Sequence, residues 1–173
     1  MKKRILAFIL LLCAAISVLA SCAEDAEYES IEYRENGIYF ILPNTMRRKA
    51  SENYEFYFTS EIMGVTFGAK KLTDDFLQSE GIDSGITAGD YVEMIIDRQS
   101  FDKDKIYYRY FEDSKQYNFR YTYAPEDDVE YFFYVTVTGD PGNLWCIEMW
   151  CDDEKSAEYL PMLERWRKTV GTY

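Results

Sequence analysis

Carboxylates are the most abundant reactive groups in this chain: 31 Asp and Glu among 173 residues, against 19 Lys and Arg and no histidine. They gather in three clusters: Asp74-Asp75, Glu126-Asp127-Asp128 with Glu130, and Asp152-Asp153-Glu154. Paired carboxylates can perform acid–base hydrolysis, but no pair among the 31 stands out. Calcium needs about six to eight oxygens from a loop of fixed spacing, and none of the clusters has the D-x-[DN]-x-[DN]-G pattern. The third sits where a helix can start and the second where a hairpin can turn, so no metal is expected. The missing histidine removes Ser-His-Asp and Cys-His catalysis and the commonest zinc ligand. No nucleophile elbow, Gly-rich phosphate loop or Ser-x-x-Lys is present. No catalytic residue is assigned, and a formal charge of −12 works against nucleic acid as a partner.

Two other groups of side chains can recognise a partner. Arg47-Arg48-Lys49 is the only basic run beyond the amino terminus. It can meet an anionic headgroup, a wall polymer or an acidic partner, or lie as a solvated loop after Pro43. The chain also carries 16 tyrosines. Eight of them (Tyr107, Tyr108, Tyr110, Tyr117, Tyr121, Tyr123, Tyr131 and Tyr134) fall in three neighbouring segments. Tyrosine joins apolar area to a polar tip and is enriched at interfaces. Tyr108, Tyr110, Tyr121 and Tyr123 are the candidate ligand face for a glycan, peptide or protein. The competing reading packs them into a core with hydroxyls at its rim.

The amino-terminal segment carries chemistry of another kind. Lys2-Lys3-Arg4 precedes an apolar run from Ile5 to Ala20, shorter than the roughly 20 residues of a spanning helix. The layout is that of a secretory signal. Its end, Leu19-Ala20-Ser21-Cys22, resembles a bacterial lipobox. That resemblance implies recognition of Leu19, Ala20 and Ser21 by the lipoprotein signal peptidase, and a diacylglycerol on the Cys22 sulfur. The competing reading is an ordinary signal peptide with a chance cysteine. Residues 1–21 would be removed, taking three basic residues and no acid and leaving a formal charge of −15. The anchored product would sit on the extracytoplasmic face of a bacterial cell membrane. No cofactor other than the covalent lipid is expected. Two acyl chains suffice for stable anchoring.

Residues 22–30 read as an acidic tether and residues 31–173 as one domain. Ile31–Arg34 and Ile38–Leu42 flank Asn36-Gly37, a tight hairpin signal. Tyr54, Phe56 and Phe58 alternate in a strand, and Val65, Phe67 and Ala69 in its partner. Leu72 to Gly85 reads as loop with a helical turn near Asp74–Ser79. Thr87 can cap a helix from Ala88 to about Gln99, with Asp90 completing the cap. Ile106–Glu112, Tyr117–Ala124 and Val129–Thr138 form a meander, the last covered on both faces, with a turn at residues 125–128. Leu144–Cys151 adds a strand with Trp145, Ile147 and Met149 on one face. In one extended strand Cys146 and Cys151 would lie about 16–17 Å apart, beyond disulfide reach. Both read as reduced, buried thiols; an early strand end and a turn would be needed to join them. A closing helix carries Tyr159, Met162, Leu163, Trp166 and Val170, and Pro161 should kink or restart it.

Gly37-Ile38-Tyr39-Phe40-Ile41-Leu42-Pro43, Leu144-Trp145-Cys146-Ile147 and Trp166-Arg167-Lys168-Thr169-Val170, in this order of elements, resemble the PsbP-like fold. The resemblance implies an α+β fold: a central antiparallel sheet with helices packed around it, an α/β/α sandwich. It also implies a binding or accessory module rather than a ligand. A protein partner or envelope ligand is expected and catalysis is not. The alternatives are a histidine-free carboxylate hydrolase acting on cell-envelope material and a stabilising subunit of a membrane complex.

Overall fold

The computed structural model describes residues 28–98, 106–126 and 129–173. The leader, Leu19, Ala20, Ser21, Cys22, most of the tether, and Asp127 and Asp128 lie outside the described residues.

Asn36 and Gly37 both adopt positive φ, at 56° and 88°. They close a two-residue turn between β1 (Ser30–Glu35) and β2 (Ile38–Pro43). β2 buries Ile38, Phe40 and Leu42 and leaves Tyr39 at the surface, the alternation of a strand covered on one side. This hairpin does not join the main sheet. It forms a three-stranded sheet with the short β10 (Gly171–Thr172), in the order β1-β2-β10.

The main sheet has seven antiparallel strands. These are β3 (Arg47–Arg48), β4 (Phe56–Ser60), β5 (Val65–Leu72), β6 (Tyr107–Phe111), β7 (Gln116–Glu126), β8 (Val129–Thr138) and β9 (Leu144–Asp152). Their spatial order is β3-β4-β5-β9-β8-β7-β6. Strand alternation sends Val65, Phe67, Ala69, Trp145, Ile147 and Met149 to one core, with Ile38, Phe40 and Leu42 of the small sheet and Leu163 and Trp166 of the closing helix. The opposite face carries Leu72, Phe119, Val135, Val137, Leu144 and Cys146. It is covered by α1 (Asp74–Ser79) and α2 (Ala88–Arg98). Thr87 Oγ1 accepts from the Asp90 N–H at 3.2 Å and donates to the Asp90 carboxylate at 2.7 Å, which starts α2 as expected.

Several expectations are corrected. Tyr54 precedes β4 and lies on the face opposite Phe56 and Phe58, stacking with Tyr57 and contacting Trp150. Arg47-Arg48 is not loop but an edge strand on β4, and Arg48 reaches Glu35 at 3.2 Å. The turn foreseen at residues 125–128 starts later, because β7 runs through Pro125 to Glu126 with a register shift after Tyr123. A bulge accommodates a proline that a regular ladder would not. β8 is buried only from Tyr134 to Thr138. Asp152 caps a 3-10 turn, Asp153–Lys155, rather than the closing helix itself. The helix α3 (Ser156–Arg167) runs unbroken through Pro161.

The end of α3 is fastened by a buried charge. Arg167 is 3% exposed; its Nη1 donates to Gln116 Oε1 at 2.8 Å, and its guanidinium lies 3.8 Å from the Phe111 ring centroid. Gln116 Nε2 in turn donates to the carbonyls of Arg167 and Val170.

Cys146 and Cys151 are free and buried in different cores, one on each face of the sheet. Burial raises both thiols, Cys151 to about 11 and Cys146 well above its ordinary value. The thiolate is the reactive form. Iodoacetamide should therefore leave both unmodified in the native protein up to about pH 9, and alkylate both in urea without reductant. Mass mapping of the two peptides checks this.

Candidate functional site

Among the described residues the α2 side of the main sheet is only partly covered, and a cavity of about 400 Å³ opens there. Its floor is built by strand register. Gly68 of β5 pairs with Glu148 of β9, and Glu148 with Val135 of β8. All three share a face with Phe119 and Tyr121 of β7. Helices α1 and α2 bring Phe76, Tyr91, Met94 and Ile95 to the walls, and Asn53, Glu80 and Arg98 stand at the exposed rim.

Gly68 is required by a close approach. A Cβ there would stand 2.7 Å from the Tyr54 ring. The bare backbone lets that ring lie on the sheet, and the Tyr54 hydroxyl donates to Glu148 Oε2. Gly89 serves α2 the same way, since a Cβ would come within 2.9 Å of the Tyr117 ring. Stacked rings continue from Tyr121 to Phe133 at 4.9 Å and from Phe133 to Trp150 at 5.6 Å.

The Glu148 carboxylate sits half-buried in this floor. Burial is the largest influence on the tyrosines around it, and raises the hydroxyls of Tyr54, Tyr91 and Tyr121 above the ordinary phenol value. The Glu148 charge pushes all three further, after Cys146 in the case of Tyr91. Lys70, beside Gly68's neighbour on β5, holds its ammonium 3.4 Å from the Phe76 ring centroid. The Arg98 guanidinium donates to the Glu80 carbonyl at 3.0 Å.

The four sequence-nominated tyrosines share this face of the sheet. Register pairs Tyr108 with Phe119, Tyr121 with Phe133, and Tyr110 with Tyr117. Tyr121 lines the cavity. Tyr108, Tyr110 and Tyr123 are exposed, at 41%, 44% and 53%. Tyr107 and Tyr134 belong to the other face, where Arg120 lies over both rings. Of the acidic clusters, Asp74-Asp75 occupies the first turn of α1 and Asp152 the 3-10 cap. Sequence reasoning missed Glu148, Tyr54, Tyr91 and Lys70. The available signal was Glu148 itself, the only charge in the apolar run Leu144–Cys151.

A seven-stranded antiparallel sheet with helices on both faces defines an α+β sandwich. Among solved structures, the chain is similar to the solution structure of cyanobacterial PsbP (CyanoP) from Synechocystis sp. PCC 6803. The identity is 14%, the TM-score is 0.56, and the match covers 88% of this chain and 97% of that one. It is also similar to the crystal structure of LpqN, involved in cell envelope biogenesis of Mycobacterium tuberculosis. Here the identity is 12% and the TM-score 0.51, with 89% and 96% coverage. The fold is PsbP-like. No family model and no curated protein matches the sequence.

Two outcomes follow for the floor. Gly68→Ala should lift the Tyr54 ring off the sheet and lower stability by about 1–3 kcal/mol, the usual range for overpacking, read by urea unfolding. The raised tyrosines contribute stability that is fully present below the unfolded phenol pKa of about 10 and is lost as pH climbs toward their folded values. Alkaline unfolding should therefore begin above about pH 10, with near-ultraviolet tyrosinate absorbance for these rings rising together with loss of circular dichroism.

Proposed function

We propose that this chain is a lipid-anchored, extracytoplasmic binding or accessory module, and that its ligand-receiving surface is the cavity floored by Glu148 together with the tyrosine strip beside it. One observation carries the reading: Tyr108, Tyr110, Tyr121 and Tyr123 lie on the same face as a concave, carboxylate-floored cavity of about 400 Å³. Ligand sites are commonly concavities of this size, lined by aromatic and apolar groups with a few converging polar ones. Anchoring through Cys22, after recognition of Leu19-Ala20-Ser21, supplies the location. The description of LpqN as involved in cell envelope biogenesis is in keeping with an envelope role.

A carboxylate hydrolase fits the cavity less well. Its two lining carboxylates differ: Glu80 is exposed at the rim, whereas Glu148 is half-buried and already accepts the Tyr54 hydroxyl. Two facing, buried carboxylates are what acid–base hydrolysis would use.

Cys22→Ala should abolish labelling by a fatty-acid probe and leave the precursor uncut by the lipoprotein signal peptidase, read as a larger product on a gel; unchanged labelling refutes the anchor. A photo-crosslinking residue placed at Tyr123 should capture a ligand or partner in intact cells. The same residue at Tyr39, exposed on the small sheet across the molecule, should capture none. Equal capture at the two positions would remove the assigned surface.

A further inference from the structure

The charges that share the cavity are not neutralised by one another. Lys70 of β5 pairs in register with Cys146, and Glu148, two residues along β9, pairs with Gly68. Lys70 and Glu148 are thus diagonal neighbours on one face, at a spacing long side chains can bridge. No ion pair joins them; among the described residues the ion pairs are Arg48 with Glu35 and Lys49 with Glu61. The Lys70 ammonium rests on the Phe76 ring instead. The Glu148 carboxylate takes one hydrogen bond, from Tyr54 to Oε2, and among the described residues Oε1 accepts none. One half-buried anion on the floor and one cation on the wall face the same space, apolar Phe119, Val135, Met94 and Ile95 lie around them, and Glu80 and Arg98 add one charge of each sign at the exposed rim.

We infer that this cavity takes a small zwitterion of the amino-acid type, bearing an apolar side chain. The inference rests on the cavity being the ligand site proposed above and adds the ligand's chemistry. The ammonium of the guest donates to Glu148 Oε1, the carboxylate oxygen that the Tyr54 hydroxyl leaves uncovered. The carboxylate of the guest meets Lys70, with Arg98 at the rim beyond it. The side chain lies against Phe119 and Ile95. A guest with one charge leaves the opposite protein charge desolvated and unpaired, which is the costly outcome. That asymmetry is what would make the site selective.

The test is calorimetric titration of the full-length protein in detergent with three probes: L-phenylalanine, phenethylamine and 3-phenylpropionate. L-Phenylalanine should bind at least about tenfold more tightly than either singly charged analogue, the factor that one charge-assisted contact of about 1.4 kcal/mol gives. Glu148→Gln should bring its affinity down to that of 3-phenylpropionate, and Lys70→Met down to that of phenethylamine. The wild-type ranking decides by itself should either variant fail to fold. Equal binding of the three probes, tighter binding of a singly charged one, or no binding of any overturns the assignment. If Tyr123 photo-crosslinking persists after such a result, the docking surface stands and only the zwitterion is removed. If crosslinking is lost as well, the reading beneath it goes too.

Discussion

Among the described residues, the architecture follows from a shortfall of helix over sheet. Seven strands at about 4.8 Å spacing span about 29 Å. The eleven residues of α2 reach only about 16 Å, and α1 adds a turn and a half. On the other face, α3 and the three-stranded sheet together close a continuous core of Phe40, Phe56, Phe58, Phe67, Trp145 and Met149. The two faces of β9 therefore lead different lives. Trp145, Ile147 and Met149 are sealed, whereas Glu148 and Trp150 are half-buried. A carboxylate in the middle of a sheet is tolerable only because its face is left partly open and a tyrosine hydroxyl is turned onto it.

Local signals were legible where they decided local structure. The Asn36-Gly37 turn, the Thr87 cap and the alternation of Trp145, Ile147 and Met149 each concern residues within a few positions of one another, and each element stands where the sequence placed it. Long-range choices were hidden. Nothing near Tyr54 says that it will cross to the far face; that depends on Gly68, fourteen residues on, offering bare backbone. The departure of β1 and β2 to pair with Gly171-Thr172 spans almost the whole domain. Arg47-Arg48 read as loop because a two-residue edge strand has no periodicity to detect. Pro161 sits within α3 without ending it, held by Leu163 and Trp166 packing into the core.

The site was half legible for the same reason. Crowding of tyrosines in β6, β7 and β8 is a compositional signal, and strand parity keeps Tyr108 with Tyr110 and Tyr121 with Tyr123; only the β6–β7 register puts the two pairs on one face. Glu148 carries meaning only once Gly68, Val135 and Tyr54 surround it, and those neighbours come from three other segments of the chain. Arg167 is similar: its side chain is anchored by Gln116, Ser114 and Phe111, none of them near it in sequence.

The placement of the small sheet has a mechanical consequence. Both described chain ends run into it: β1 is its outer strand, and the Tyr173 N–H donates to the Gly37 carbonyl at 3.2 Å. A pull on either end loads this three-stranded unit first, across the sealed core from the cavity. The carboxylate floor is thereby set apart from tension on the chain, which would strain the hairpin before it reached Glu148.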